Sequence, residues 1–494
     1  MSLEELQAIR EEKRKKLIEA FGSAYPISTG EHVSLRLLRA EFESRMAEGG
    51  DVTVAGRIMG IRTHGGATFV DVREDGERFQ LYLSESALAN GMYDLFLSAV
   101  DVGDFLGASG TLFRTKRNEE TVAVTSWRIL SKSMRPLPEK WHGIVDQEER
   151  YRRRAIDVLM NEESRSRFVV RSEALAFLRD YFGSNGYMEV ETPVLQSLYG
   201  GALARPFTTH YHALGEDMFL RIAPELYLKR LIVGDFSRVF EIAKCFRNEG
   251  IDVTHSPEFT MLESYESYAD LERLMVILEE IFVGLATRIH GSAVIPSDEG
   301  EITLAAPFAR MTMMDAIEAY ADIPRVSELS EEALREAMRE KGIEVGSELG
   351  RGKLLDELFK KTVRKQLVKP TFITHHPLDI SPLAKASETV EGAAERVQLV
   401  LGGVEAANAY AELNDPTEQI ARFREQERFR ERGDAETSHF DADYVETMEY
   451  GMPPVAGLGI GIDRMVQLMT NTHNIRDVIL FPALRRKDDQ EGAS

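Results

Sequence analysis

Val239–Tyr265, VFEIAKCFRNEGIDVTHSPEFTMLESY, reads as two strands joined by a loop. The two-residue period puts Glu241, Ala243, Cys245 and Arg247 on one face of the first run. In the returning run Phe259, Met261, Glu263 and Tyr265 share a face. Small Ala243 and Cys245 leave room beside the Arg247 guanidinium, and an aromatic ring and a carboxylate emerge opposite. Guanidinium forks suit phosphates and carboxylates, and aromatic rings suit bases. The hairpin therefore has the makings of a site for an anionic, base-bearing ligand. An internal Arg–Glu pair beside a core aromatic would leave the same pattern.

Outward from this hairpin the chain changes character. Residues 3–21 have the period of an amphipathic helix with Gly22 as the stop, and a second helix is expected over roughly 34–47. Between 52 and 130 lie five short alternating runs, VTVAGRI, TFVDV, ERFQLYL, DFLGASGTLF and TVAVTSWRIL, with Gly-rich turns. They predict a five-stranded barrel of the oligonucleotide-binding kind. Val70 and Val72, and Phe79, Leu81 and Leu83, define its inner face, so Phe69 and Gln80 project outward. That ring and amide suit stacking and reading of a splayed base, although a Phe covering the barrel side fits equally. The expected organisation is helices over 1–50, a barrel over 51–134, a linker over 135–150 and a larger domain over 151–494. The last carries a helical insertion at about 311–368 and a disordered tail from Arg485.

Two further constellations follow the hairpin. Val397–Asp415, VQLVLGGVEAANAYAELND, reads as a near-continuous buried strand with Asn408, Tyr410 and Glu412 on one face and three alanines on the other. A carboxylate there must find a cation, from a ligand or from an internal salt bridge. In GLGIGIDRMVQLMTN the glycines Gly457, Gly459 and Gly461 alternate into a helix, with Asp463 expected as its cap and Arg464 in the first turn. The glycines permit close approach of backbone to ligand, or to a packed helix.

Bulk properties exclude several classes. A single cysteine, Cys245, rules out an internal disulfide and a multi-cysteine zinc site. No apolar run spans a bilayer and the first residues lack a signal-peptide core, so a cytoplasmic protein is expected. A net charge of −22 opposes indiscriminate nucleic-acid binding. The basic runs in Glu12–Lys16 and Arg150–Arg154 leave room for a specific RNA contact.

GYMEVETPVL, FRNEG through FTMLESY, and GLGIGIDR resemble motifs 1, 2 and 3 of the class II aminoacyl-tRNA synthetases. The preceding barrel is the arrangement of the aspartate, asparagine and lysine subgroup. GGALARPF, APELYLKRLIVGDFSRVFEI, NAYAELNDP and EYGMPP are similar to the lysyl members. The resemblance implies an α+β fold, with an antiparallel catalytic sheet flanked by helices and a homodimer formed through motif 1. It implies ATP, L-lysine and tRNA(Lys) as partners, with Mg2+, and neither DNA nor a membrane. At matching positions Arg247 would hold the α-phosphate and lysine carboxylate, Glu249 the adenine amino group and His255 the terminal phosphates. Phe259 and Arg464 would sandwich the adenine, and Glu405 would bind magnesium. Gly201 and Glu225 would take the lysine α-amino group and Asn408 its carboxylate. Glu412 and Tyr265 would bind the ε-ammonium, with Glu263 nearby and Tyr410 along the stem. Phe69 and Gln80, with Arg62 and Glu119, would read the anticodon.

The residue chemistry agrees with a diamine substrate, since Glu225, Glu263 and Glu412 make an acidic pocket where an aspartate site would need cations. This opposes an aspartate- or asparagine-type enzyme, and the complete barrel opposes the shortened paralogue that lysylates elongation factor P. One departure bears on the metal. Gln398 stands seven residues before Glu405, where the family usually has a second carboxylate, and an amide removes a charge. It is the sole feature that favours a catalytically silent RNA-binding or regulatory protein with the same fold. Val404 and Ser256 also depart from the usual residues.

Overall fold

The computed structural model describes residues 1–138, 144–202, 204–346, 349–431 and 440–485. Residues 139–143 of the expected linker and 486–494 of the expected tail lie outside them. Contacts divide the chain into two units, Met1–Gly143 and Ile144–Ser494.

The first unit opens with helix α1, Leu3–Phe21. Ser2 accepts the Glu5 N–H at 3.2 Å while Glu5 accepts the Ser2 N–H at 2.7 Å, a reciprocal capping box. The helix expected over 34–47 is two, Leu35–Ala40 and Phe42–Glu48, broken at Glu41. The break lets Leu35, Leu38 and Phe42 all enter one core. Strands β1 (Asp51–His64), β2 (Ala67–Glu74), β3 (Glu77–Ser84), β4 (Phe105–Arg114) and β5 (Glu120–Ser131) close into a barrel in the order β1-β2-β3-β5-β4. Closure leaves no unpaired edge. A short helix, α2 (Met92–Ala99), fills the gap between β3 and β4 and buries Tyr93 and Phe96; the strand pattern did not foresee it. At Gly110 a bulge brings β5 so close that a Cβ would collide with the Ala123 carbonyl.

The second unit carries, in chain order, α3 (Glu162–Ser184), β6 (Met188–Glu189), α4 (Glu225–Val233), β7 (Arg238–Phe246), β8 (Glu258–Ser267), α5 (Leu271–His290) and β9 (Ala309–Thr312). Then come α6 (Arg351–Leu358), β10 (Thr371–Pro377), β11 (Ala393–Leu401), β12 (Val404–Ala411), β13 (Val455–Gly461) and α7 (Ile462–Met469). Eight strands form one sheet in the order β9-β10-β11-β12-β13-β8-β7-β6. The six central strands are antiparallel, as expected. Both edges pair parallel, at Val239↔Met188 and Ala309↔Thr371, so the sheet is mixed. These edge strands are only two and four residues long, and each reaches its neighbour through a crossover that returns the chain in the same direction.

Helix α5 covers one sheet face. Leu274, Ile277, Leu278, Ile281, Phe282 and Leu285 recur at helical spacing and meet Leu399, Leu458 and Ile460 in the core. The opposite sheet face is left for the site. The insertion has its own core, in which Met313, Leu334, Leu355 and Phe359 meet. Ser330 caps its Glu331–Glu340 helix, accepting the Ala333 N–H at 3.3 Å.

The run read as one strand from 397 to 415 is instead a hairpin. Gly402 and Gly403, at φ 59° and 74°, turn it between β11 and β12. Two adjacent residues at positive φ are what a tight hairpin turn requires, and glycine supplies both without strain. The turn has a functional consequence. In one extended strand Gln398 and Glu405 would lie about 23 Å apart; folded back, the Gln398 amide reaches Glu405 at 3.4 Å.

Candidate active site

The motif 2 hairpin pairs as its alternation predicts. The register sets Val239 opposite Tyr265, Glu241 opposite Glu263, Ala243 opposite Met261 and Cys245 opposite Phe259. All eight side chains therefore share one face. Glu241 finds its own cation, Arg221, at 2.6 Å, with both buried. Arg247, just past β7, is thereby left for other work. Its guanidinium lies 5.0 Å from the Phe259 ring centroid, and its buried Nε has no hydrogen-bond partner among the described residues. An orphaned buried guanidinium N–H is costly unless a ligand accepts it. Burial pushes the Cys245 thiol up to about 12, so it is no nucleophile at neutral pH.

Arg247 opens into a cavity of about 650 Å³ on the free sheet face. Its wall includes Gly201, Glu225, Glu249, His255, Phe259 and Glu263, with Tyr265, Glu405, Asn408, Tyr410 and Arg464. Twelve of the positions named from sequence thus meet in one place, Arg247 among them. Glu249 and His255 are exposed, and His255 is held by Asp252 at 2.9 Å.

At one end the cavity is acidic. Glu263 is buried and accepts the Tyr265 hydroxyl at 3.1 Å. Glu412 lies behind the wall rather than on it, 2 % exposed, with Oε1 2.5 Å from where a Cβ on Gly457 would stand. A side chain at Gly457 would collide with both the Tyr265 ring and this carboxylate, so glycine is what lets the two pack against β13. Burial pushes the Glu412 carboxyl up to about 8, and Glu263 also rises well above the usual carboxylate range because of burial and the neighbouring Glu225.

The other end is built on the β11–β12 hairpin. Asn408 donates to Glu405 Oε1 and accepts from the Arg396 guanidinium at 3.1 Å, which fixes the amide's orientation. Arg464 Nη1 lies 3.8 Å from the same carboxylate oxygen. Gln398 is buried beside Glu405 and is not on the wall. Among the described residues no group of three His, Cys, Asp or Glu side chains is placed to hold a metal. The Glu405 carboxylate on the wall fits a magnesium ion that arrives on polyphosphate oxygens, since Mg2+ binds through one or two carboxylates plus phosphates, while Gln398 turns its amide N–H toward Glu405.

Two expectations, the Asp463 cap and an outward Gln80, need correction. Asp463 is not the cap of α7; Gly461 holds that place. Asp463 instead accepts Arg171 at 2.5 Å and the Thr260 N–H at 2.8 Å, tying α3 and β8 to α7 beside Arg464. Gln80 does not face solvent: it is 5 % exposed and accepts the Thr121 hydroxyl at 3.0 Å. Arg62 is spanned by Asp71 at 2.7 and 3.0 Å, while Glu119 is exposed. Phe69 is half-buried in a row of rings, 5.2 Å from Tyr82, which is 5.9 Å from Phe113. Most basic side chains of the two runs have acidic neighbours as partners: Arg14 with Glu11, Lys15 with Glu12, Arg152 with Glu148 and Arg153 with Glu149. Arg154 is fully buried against Asp157.

Sequence reasoning missed three contributors. Lys229 bridges the acidic cluster, Arg396 clamps Asn408, and Lys360 reaches the wall from the π-helical turn Phe359–Val363. Lys229 was legible in principle, being one helical turn after Glu225 in APELYLK. The other two come from segments brought in only by folding.

The comparisons with known proteins agree with this geometry. Residues 146–485 match the family described as tRNA synthetases class II (D, K and N), and residues 52–130 match the OB-fold nucleic acid binding domain. A lysine–tRNA ligase of Photorhabdus laumondii is 47% identical over 436 residues, covering 88% of this chain and 86% of its own. Those of Yersinia pestis and Yersinia pseudotuberculosis are 46% identical over 487 residues, covering 97% of this chain and 96% of theirs. With the family match spanning the whole sheet and cavity, and relatives matching over 88–97% of the sequence, the chain belongs to the class II tRNA synthetases of the aspartate, lysine and asparagine group.

Proposed function

We propose that this protein is a lysine–tRNA ligase that activates lysine with ATP and passes the lysyl group to tRNA(Lys). The observation that carries this reading is one cavity into which Arg247 opens, its buried Nε without a partner among the described residues, with three buried carboxylates near it. An anionic co-substrate and a dicationic amino acid complement it. A lysine carboxylate oxygen attacks the α-phosphorus of ATP, the bond to the β-phosphate oxygen breaks, and pyrophosphate leaves. A terminal ribose hydroxyl of tRNA then attacks the lysyl carbonyl, and AMP leaves. Both steps ask for alignment and charge neutralisation, with no protein nucleophile.

Arg247 meets the α-phosphate and carboxylate, Phe259 stacks the adenine with Arg464, and Glu249 and His255 border the nucleotide. Gly201 and Glu225 receive the α-ammonium, Asn408 the carboxylate, and Glu412, Tyr265 and Glu263 the ε-ammonium end, with Tyr410 along the stem. Magnesium, held by Glu405 with Gln398 beside it, would neutralise phosphate charge. Replacing Gln398 with glutamate is expected to lower the magnesium needed for half-maximal exchange; an unchanged titration would remove Gln398 from the metal's surroundings.

Exposed Met188, Val194 and Leu195 along motif 1, with Leu198 just after it, support a homodimer. A cytoplasmic location goes with the substrates of this reading. No described helix is long and apolar enough to cross a membrane. The Phe69 ring supports anticodon stacking. Phe69→Ala is expected to raise the KM for tRNA about tenfold, the scale of one lost base stack, while pyrophosphate exchange stays unchanged. Amino-acid-dependent ATP–pyrophosphate exchange with lysine, aspartate and asparagine tests the whole reading. Lysine alone should support it, and exchange with another amino acid would overturn the pocket assignment.

A further inference from the structure

Lys229 is fully buried at the heart of the acidic cluster. Its Nζ donates to Glu225 Oε1 at 2.5 Å and lies 2.5 Å from Glu412 Oε2, the second contact being a charge pair off the line of a hydrogen bond. The Tyr265 ring centroid is 5.9 Å away, and the buried hydroxyl of Tyr444 has no hydrogen-bond partner among the described residues. Glu225 and Lys229 are one turn apart on α4, so helix geometry brings them together. The other oxygens of the two carboxylates are left over, and each faces a glycine. A Cβ on Gly201 would stand 3.6 Å from Glu225 Oε2, and one on Gly457 2.5 Å from Glu412 Oε1. Gly201 is also at φ +84°, where a side chain would be strained.

We propose that Lys229 is a resident counter-cation that takes one oxygen of Glu225 and one of Glu412, leaving the two remaining oxygens as paired ammonium sites for the ends of lysine. This rests on the lysine-activating reading of the site and deepens it. With lysine bound and the carboxyls ionised, three buried carboxylates against one ammonium leave two negative charges, which two substrate ammonium groups neutralise. A monoamine leaves a buried charge unmatched, and that is unfavourable. Lys229 is thus a positioning residue, which sets where the carboxylates point and how much charge the pocket presents.

The test compares Lys229→Met and Lys229→Arg with the wild-type protein in lysine-dependent exchange, with KM for lysine, KM for ATP and kcat measured across pH. Lys229→Met should raise the lysine KM about a hundredfold, leave the ATP KM nearly unchanged and move the pH dependence of lysine KM to higher pH. The Arg variant should recover most of the loss, because it restores the charge. A folded Met variant with unaltered lysine KM and pH profile would overturn the proposal, as would an Arg variant no better than Met. If Lys229→Met does not fold, Lys229→Met/Glu412→Gln removes both charges together. A folded double variant supports the charge role, and one that also fails assigns Lys229 to packing instead. A wild-type protein with no lysine-dependent exchange would take the parent reading down as well, and is distinguished by that control alone.

Discussion

Replacing Arg247 with alanine is expected to cut lysine-dependent pyrophosphate exchange by about 10³-fold, the upper range for loss of one preorganised charge-stabilising donor. The Arg247 side chain donates no hydrogen bond or ion pair that holds the fold among the described residues, and its Nε is buried without an acceptor. Its ring contact is the Phe259 face at 5.0 Å. The substitution should therefore leave thermal melting little changed while removing the positive fork from the point where phosphate charge builds. The Arg247→Lys variant would keep a charge but lose the planar pair of donors, so most of the defect should remain. An alanine variant that exchanges at near wild-type rate would show that the α-phosphate is held elsewhere.

Glu412→Gln is expected to raise the KM for lysine about a hundredfold, as removing one partner of a buried charge pair does. The same carboxyl predicts a pH dependence. Burial, the largest influence, pushes Glu412 up to about 8; Lys229 pulls it down and Glu225 pushes it up. Below that value the empty pocket keeps the group protonated, and a neutral carboxyl takes an ammonium poorly. Lysine binding must then release a proton, so the wild-type lysine KM should fall as pH rises toward about 8. It should rise again above about 10, as the free lysine ε-amine loses its own proton. The stability of the ligand-free protein has the opposite slope. The folded carboxyl binds its proton more tightly than the unfolded one, so its contribution is present below the ordinary carboxylate range and is lost as pH climbs toward about 8. A KM for lysine that is flat between neutral pH and that value would separate Glu412 from the ammonium.

Local pattern carried the motif 2 hairpin because alternation alone fixes which side chains share a face, and Glu241, Ala243, Cys245, Phe259, Met261, Glu263 and Tyr265 pair in that register. The barrel strands were legible for the same reason. The β11–β12 hairpin was missed although Gly402-Gly403 is a turn signal, because the apolar run on both sides masked it. Gln80 shows the converse failure. Period 2 placed it on the outer face correctly, but alternation does not report what packs over that face.

What the sequence by itself determined is the identity and local spacing of the reactive groups: an Arg and a Phe on a strand hairpin, carboxylates in apolar runs, and glycines beside them. Periodicity and turn chemistry act over a few residues, so they survive in a linear reading. Only the tertiary structure decided that Lys229 spends its charge on Glu225 and Glu412, that Arg221 takes Glu241 and leaves Arg247 without an acidic partner among the described residues, and that Gln398 lies beside Glu405. Each of those outcomes depends on which buried charges meet across distant segments. In a low-dielectric interior that meeting, rather than the residue types alone, fixes protonation and partner.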